Sequence, residues 1–144
     1  MTAKEPLVVF MPSGKRGRFP VGTPLLQAAR ALGVDVDSVC GGRGICGRCQ
    51  VVIAEGEFAK HGIRSGTGCV SPVSAVETRY ASRRVLLPGR RLSCSTELLR
   101  DVVVDVPPES QVHRQVVRKD ADAREIKLNP VVRLHYVEVR EPDM

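Results

Sequence analysis

The stretch Cys40-Gly-Gly-Arg-Gly-Ile-Cys-Gly-Arg-Cys49 decides how the rest of this sequence is interpreted. It places three cysteines in the spacing C-x5-C-x2-C and separates them mostly by glycine. Sulfur atoms this close in sequence converge only where the backbone curls tightly, which glycine permits because it tolerates positive φ. The amide N–H groups of such a loop can donate hydrogen bonds to thiolates and sulfides and so tune the potential of an iron–sulfur cluster.

Two further cysteines are candidates for a fourth ligand. Iron–sulfur clusters are held by four thiolates, of which three can come from one loop and the fourth from a distant position. Cys94 lies between segments expected to be ordered, whereas Cys69 lies in a stretch rich in Gly and Ser, where it could also be a loop ligand. The residues alone leave both open.

Other cysteine sites fit the spacing less well. A structural zinc site usually shows two C-x2-4-C pairs, and here only Cys46 and Cys49 form one. A disulfide framework is disfavoured because the cysteine count is five and no secretion signal precedes the domain. A thioredoxin-like C-x-x-C would end a strand and begin a helix, but here a strand follows. A Rieske centre needs two histidine ligands, and all three histidines lie outside the loop: His61, His113 and His135.

The loop also contains a literal G-x-G-x-x-G at Gly42, Gly44 and Gly47. A dinucleotide-binding turn follows a strand and opens a helix, whereas this one follows a helix and precedes a strand. Neither a Walker A motif nor a G-x-S-x-G motif is present. We therefore expect no catalytic constellation within the chain.

Composition places the chain among ordinary globular proteins of one domain, with or without an appendage. It has 144 residues, 42% hydrophobic and 26% charged. No apolar run approaches the ~18 residues of a membrane span, and no signal peptide is apparent, so we expect a cytoplasmic protein with no membrane partner. Aromatic residues are 3%, with no Trp, which offers few stacking platforms and predicts no nucleic-acid partner.

The positive charge is unevenly distributed along the chain. The formal net charge is +6; residues 1–107 hold 15 Lys and Arg against 9 Asp and Glu, whereas residues 108–144 hold 7 of each. A solvated basic face and a docking surface for an acidic partner both fit this pattern. The excess lies largely in six arginines: Arg79, Arg83, Arg84, Arg90, Arg91 and Arg100.

Apolar patterning predicts an α+β domain. Residues 7–11 and 16–21 form a hairpin, and the helix that follows has Thr23 as its cap, Pro24 at its first position and Gly33 at its end. One helix face carries apolar residues at i, i+3, i+4 and i+7. Strands are expected at 50–54, 91–94 and 101–106, the last with alternating valines, together with a short helix at 75–84 and an irregular excursion at 55–75. This order predicts a small mixed sheet packed on one helix.

The end of the chain is expected to be organised differently. We predict a domain over 1–108, a charged linker over 109–127 and a terminal segment over 128–144 that contains a strand at 131–139. That strand has no obvious partner in the first domain, so it must dock back, pair with a second copy in a homodimer, or begin a further domain.

The cysteine loop, the preceding hairpin and the helix Leu25-Leu26-Gln27-Ala28-Ala29 resemble a 2Fe–2S ferredoxin of the β-grasp fold, with the five-residue first gap of adrenodoxin-type members. The resemblance implies a one-electron carrier and makes Cys69 a bystander, because Leu92-Ser93-Cys94 matches the L-x-C ending of the family. The implied iron ligands are Cys40, Cys46, Cys49 and Cys94. The implied cofactor-binding residues are Gly41, Gly42, Arg43, Gly44, Ile45, Gly47 and Arg48.

The end of the domain, Val104-Asp-Val-Pro-Pro-Glu-Ser110, and the charged segment His113-Arg114-Gln115 that follows it narrow the resemblance to the N-terminal part of reductive activators of corrinoid proteins. That resemblance implies a role in an ATP-dependent activation system. The partners would be a reductase or low-potential donor and, as acceptor, a corrinoid protein. This chain lacks the ATPase domain of that family. We also expect Arg43 and Arg48 to make the potential less negative and Val39, Ile45 and Val70 to form an apolar wall at the cluster.

Overall fold

The computed structural model describes residues 5–112 and 129–142. The structure contains two α-helices, α1 (Leu25–Ala31) and α2 (Ala75–Arg83), and three short 3-10 helices at Ala59–His61, Thr67–Cys69 and Pro108–Ser110. The strands are β1 (Leu7–Met11), β2 (Lys15–Arg18), β3 (Gln50–Ile53), β4 (Gly56–Phe58), β5 (Ile63–Ser65), β6 (Arg90–Leu92) and β7 (Val102–Asp105).

Five strands form a mixed sheet in the order β2-β1-β7-β3-β6. β1 and β7 are parallel, and the other neighbours are antiparallel. The parallel pair is tied at its start by Asp101, whose Oδ1 accepts a hydrogen bond of 2.7 Å from the Leu7 backbone N–H. The sheet therefore joins the first and last strands of the domain, and the α+β prediction is confirmed.

Helix α1 covers one face of the sheet with Leu25, Ala28 and Ala29, which are buried in the main core. Gly33 follows its last turn at φ +65°, as predicted. The predicted cap at Thr23 is wrong. The N-cap residue is Pro24, and the Thr23 hydroxyl donates instead to the Pro20 carbonyl at 2.7 Å.

The segment predicted as an irregular excursion, 55–75, contains the two-stranded β4–β5 hairpin. Its Ile63 packs against Val9 and Val103 on the sheet face opposite α1. Ser65 Oγ accepts a 2.9 Å hydrogen bond from the Val103 N–H. Since β7 is covered on both faces, three consecutive valines are buried there rather than an alternating set.

Ordered packing extends slightly beyond the predicted boundary at 108. Ser110 is buried, and its carbonyl accepts a 2.7 Å hydrogen bond from the Asp37 N–H. Residues 113–127 of the predicted linker lie outside the described residues.

The strand predicted at 131–139 is not formed. Every described residue from 129 to 142 is exposed, and none belongs to a strand. A strand needs a neighbouring strand to pair its backbone groups, and the described part of the domain supplies none to this segment. Across the described ranges, no helix has the length and apolar character required to cross a membrane.

Candidate metal centre

The loop from Cys40 to Cys49 lies between α1 and β3 and brings four thiols together in two pairs. The Cys46 thiol donates to the Cys40 sulfur at 3.3 Å. The second pair joins Cys49, which is buried at the end of the loop, to Cys94, which follows β6 and donates its S–H to the Cys49 sulfur. Cys40 is near enough to Cys49 and Cys94 to act electrostatically on both.

The environment of the site favours the thiolate at Cys40 and Cys49 and the protonated thiol at Cys94. Burial opposes ionisation of Cys40, but hydrogen bonds led by the backbone of Cys46 and Ile45 lower its pKa to about 6. The hydrogen bond from Cys94 is the largest influence on Cys49 and brings its pKa to about 6 against the effect of burial. Donation to Cys49, together with burial, raises the pKa of Cys94. Thiolates are the form in which cysteine binds metal.

Backbone amides of the loop are directed at these sulfurs. The backbone of Arg43, Ile45 and Cys46 hydrogen-bonds to Cys40, and that of Gly44 to Cys94. The four loop glycines Gly41, Gly42, Gly44 and Gly47 all have positive φ, between 65° and 88°. The inward curl expected of a glycine-rich cysteine loop is therefore present in this structure.

Two of these glycines also permit close approach of α2. A Cβ built on Gly44 would lie 2.1 Å from Cγ1 of Val76, and one on Gly47 would lie 1.9 Å from Oη of Tyr80. Val76 and Tyr80 are four residues apart on α2 and so share one helix face. The side chains of α2 therefore pack directly against the backbone of the loop.

A buried carboxylate fixes α2 to the segment that carries Cys94. Glu77 has no exposed side-chain surface, and its ion pair with Arg91 has an Nε–Oε1 distance of 2.8 Å. It also accepts from the Leu92 N–H at 2.9 Å and caps its own helix through the Ser74 N–H. Burial works to raise the pKa of Glu77, but the Arg91 guanidinium and the N–H donors hold it below its usual value.

Sequence reasoning missed Glu77, although a signal was present. Ser74-Ala-Val-Glu77 is an S-x-x-E capping box, which the structure forms in full. The pattern would have predicted the helix start and a carboxylate turned back toward it. The contact with Arg91 could not be seen in it.

The predicted apolar wall is wrong for Val70, which belongs to the main core beneath the sheet. Val39 and Ile45 do line a cavity together with Cys40 and Cys46, although their side chains are 70% and 59% exposed. The buried side chains around Cys49 come instead from ordered elements: Leu26, Tyr80 and Leu92.

The remaining predicted site residues are placed as follows. Arg43 is exposed, and Arg48 pairs with Asp37 at 3.2 Å. Cys69 packs against the main core, and its thiol lies 3.7 Å from the Arg64 carbonyl. Cys49, by contrast, has Cys94 as its side-chain hydrogen-bond partner.

The donor set fits a dinuclear cluster better than a single ion. Within residues 5–112 and 129–142, no three or more His, Cys, Asp or Glu side chains converge in a way that could hold one metal ion. Structural zinc needs four ligands around one point. A 2Fe–2S cluster distributes four thiolates over two irons, which matches two thiol pairs.

The chain matches the 2Fe–2S iron-sulfur cluster binding domain family over residues 10–99. It belongs to this family, and its cofactor is a 2Fe–2S cluster. The fold agrees, since a ferredoxin from Rhodopseudomonas palustris HaA2 superposes with a TM-score of 0.52 at 27% identity, over 74% of this chain and 99% of that one. The reductive activator for corrinoid, iron-sulfur protein has the same fold, with a TM-score of 0.54 at 24% identity, over 76% of this chain and 15% of that one.

Curated relatives are longer proteins. One subunit of the Na(+)-translocating NADH-quinone reductase of Neisseria gonorrhoeae is 37% identical over 90 residues, 62% of this chain and 19% of that protein. Chlorosome protein I of Chlorobaculum tepidum is 29% identical over 97 residues, 67% of this chain and 36% of that protein. The chain thus matches about a fifth of the first relative and about a third of the second.

Proposed function

We propose that Cys40, Cys46, Cys49 and Cys94 bind the 2Fe–2S cluster and that the domain relays single electrons between redox proteins. The observation that carries this assignment is the arrangement of the four thiols in two pairs, one within the loop and one between the loop and the segment after β6. A 2Fe–2S cluster takes up and gives back one electron. In this assignment Cys69 is not a ligand.

The chain's own residues then have separate roles. The N–H groups of Arg43, Gly44, Ile45 and Cys46 hold negative charge on the sulfurs. Positive-φ glycines make room for those N–H groups. Tyr80 and Leu92 exclude water from the Cys49 side of the site. The edge formed by the exposed Ile45 and the half-buried Cys40 is the route by which electrons enter and leave.

For the finer role, we propose the electron-transfer domain of an ATP-dependent reductive activator of a corrinoid methyltransferase system. The support is the resemblance of Val104–Ser110, which ends the cluster domain, to the corresponding segment of those activators. The electron donor would be a reductase or low-potential protein and the acceptor a cobalt(II) corrinoid protein, both in the cytoplasm, where thiols stay reduced.

A second role is favoured by a different observation. The 37% identity with a component of an NADH-quinone reductase supports a cluster domain within an NADH-oxidising reductase. Stopped-flow mixing of the reduced protein with a cobalt(II) corrinoid protein separates the two. Formation of cobalt(I) supports the activator role. Reduction by NADH through a flavoprotein, with no reaction toward cobalt(II), supports the reductase role.

We further propose that residues 128–144 begin another domain or pair with a second copy, separated from the cluster domain by the segment 109–127. The support is six exposed apolar side chains in the described part of this segment: Val131, Val132, Leu134, Tyr136, Val137 and Val139.

Alanine variants of the five cysteines test the ligand assignment. In anaerobically purified protein, we expect two irons and two sulfides per chain and absorption bands between about 330 and 550 nm that bleach on reduction. Substitution of Cys40, Cys46, Cys49 or Cys94 abolishes these bands, whereas Cys69→Ala retains them with full iron content. Loss of the bands in Cys69→Ala with retention in Cys94→Ala would reverse the assignment of the fourth ligand. A colourless protein with one zinc would overturn the proposal.

A further inference from the structure

A basic recess lies between the cysteine loop and α2. Arg43, Arg79, Arg83 and Arg84 line a cavity of about 180 Å³ with Ile45 among its apolar residues. A second cavity of about 550 Å³ shares Arg43, Ile45 and Arg84 and is lined in addition by Cys40 and Cys46. We call the two together the arginine recess. It extends from the exposed side of α2 to two of the thiols.

The four guanidinium groups of the recess have no partner within the described part of the chain. Arg48, Arg90 and Arg91, by contrast, pair with Asp37, Glu109 and Glu77. The described lining of the arginine recess includes no acidic side chain. Its positive charge is therefore not balanced within this structure.

Helix α2 places these charges side by side. Arg79 and Arg83 are four residues apart, a like-charge spacing that is unfavourable on an isolated helix. The single acidic residue of α2, Glu77, is buried in its contact with Arg91 and contributes nothing to the exposed face. An external group of negative charge would remove this repulsion.

We propose that the arginine recess is the docking surface for an acidic redox protein, whose carboxylates pair with its arginines and so bring its acceptor group to the thiol edge of the loop. This inference rests on the proposed electron relay. A single electron moves from the reduced protein to a flavin or metal centre of the partner. No proton or atom is exchanged.

A protein surface fits the recess better than a nucleic acid does. Phosphates would pair with the arginines but would leave Ile45 and Val39 exposed, at 59% and 70%. The aromatic ring of the recess, Tyr80, is only 9% exposed and offers no face on which bases could stack. A protein patch with carboxylates around an apolar centre satisfies both features.

Binding is measured with a fluorescein-labelled oligo-glutamate peptide by anisotropy at low and high salt. We expect Arg79→Glu with Arg83→Glu to weaken binding at least tenfold at low salt. The control Lys60→Glu with Arg100→Glu makes the same change in net charge at exposed positions outside the recess and leaves binding within twofold. The pair Arg79→Gln and Arg83→Gln, which places no carboxylate near the helix C-terminus, gives a smaller loss in the same direction.

Electron transfer supplies the second readout. Reduced protein is mixed with ferricyanide, an anion, or with hexaamminecobalt(III), a cation. We expect Arg79→Glu with Arg83→Glu to slow the reaction with ferricyanide and to accelerate the reaction with hexaamminecobalt(III). The control Lys60→Glu with Arg100→Glu should change both rates little.

Equal effects of the control and recess pairs would show a response to net charge alone and overturn the proposal. So would a labelled single-stranded oligonucleotide that binds more tightly than the peptide through the same arginines. Failure of the electron relay itself is detected separately, because the cluster spectrum does not depend on peptide binding.

Discussion

Gly47 shows at the scale of one residue how close the loop lies to α2. Its φ is +65°, and a Cβ there would meet the Tyr80 hydroxyl at 1.9 Å. Gly41 has nearly the same φ, +68°, but a Cβ there meets nothing within 4 Å. An alanine at either position would incur the cost of a left-handed residue, about 1–2 kcal/mol. Only the alanine at position 47 would also collide with Tyr80.

We therefore predict that Gly47→Ala loses most of its iron and that Gly41→Ala retains it with a modest fall in Tm. Iron per chain and the visible spectrum measure the difference. Equal iron loss in both variants would show that backbone conformation alone, rather than contact with Tyr80, makes glycine necessary.

Arg43 and Arg48 differ in their electrostatic surroundings. Arg48 forms an ion pair with Asp37, whereas Arg43 has no acidic partner in the described residues. Positive charge favours the reduced, more negative form of the centre. A charge about 10 Å away in water contributes about 0.4 kcal/mol, or about 20 mV for one electron.

We predict that Arg43→Gln makes the midpoint potential more negative by about 20 mV. Arg48→Gln combined with Asp37→Asn removes a neutral pair and leaves the potential nearly unchanged. Redox titration followed by electron paramagnetic resonance compares the two. An equal shift in both would contradict this assignment of charge.

At the scale of the element, α2 is held to β6 by one carboxylate. Glu77 accepts hydrogen bonds from Arg91, Leu92 and its own N-cap residue Ser74. Replacing it with Gln leaves the Arg91 guanidinium 11% exposed and without its counter-charge. Breaking a buried pair in this way costs about 3–5 kcal/mol.

We predict that Glu77→Gln lowers Tm by well over 5 °C, in line with that cost. The control is Glu57, whose side chain lies 3.9 Å from that of Arg64 in an exposed ion pair. Glu57→Gln should change Tm little. The folded-state pKa of Glu77 lies below its ordinary value of 4.5. The stabilisation is therefore complete above about pH 4.5 and is lost only as pH falls through the folded-state pKa. The Tm difference should be the same at about pH 6 and about pH 8.

Elements with strong local signals were predictable from the sequence. The buried residues of α1 repeat at helical spacing, and the strands rich in valine were located close to their observed bounds. The β4–β5 hairpin was not, because its strands have three residues each and Ile63 finds its partners, Val9 and Val103, only in the folded sheet. The alternation expected in β7 failed for the same reason, since the hairpin covers its second face.

The candidate site divides in the same way. The cysteine spacing predicts the three loop thiols as ligands, and the family resemblance predicts Cys94 as the fourth. The structure pairs Cys94 with Cys49. The exposed positions of Val39 and Ile45 depend on the direction in which loop residues turn, which spacing does not encode. Glu77 acts through a contact 14 residues away in sequence.

For the whole molecule, the cluster domain and the terminal segment are separable in structure. The described residues 129–142 are exposed throughout, whereas buried contacts extend as far as Ser110. A chain shortened to residues 1–112 should keep its full iron content and its Tm within about 2 °C, since surface changes have small effects.

Size-exclusion chromatography with light scattering gives a second result from the same pair of proteins. If residues 128–144 pair with another copy, the full chain elutes as a dimer and the shortened chain as a monomer. If they begin a further domain, both are monomers. A shortened chain that lost its cluster would show that the segment supports the fold.

The parallel pairing of β1 with β7 has a consequence for how the protein is made. β7 lies at the centre of the sheet, between β1 and β3, so no complete sheet exists until it has left the ribosome. Cys94 follows Cys49 by 45 positions, which at roughly 5–20 residues per second leaves about 2–9 s between their synthesis. During that interval the nascent chain presents the three cysteines of the loop without the fold that places Cys94 beside Cys49. We therefore expect iron and sulfide to be inserted after the domain has been translated.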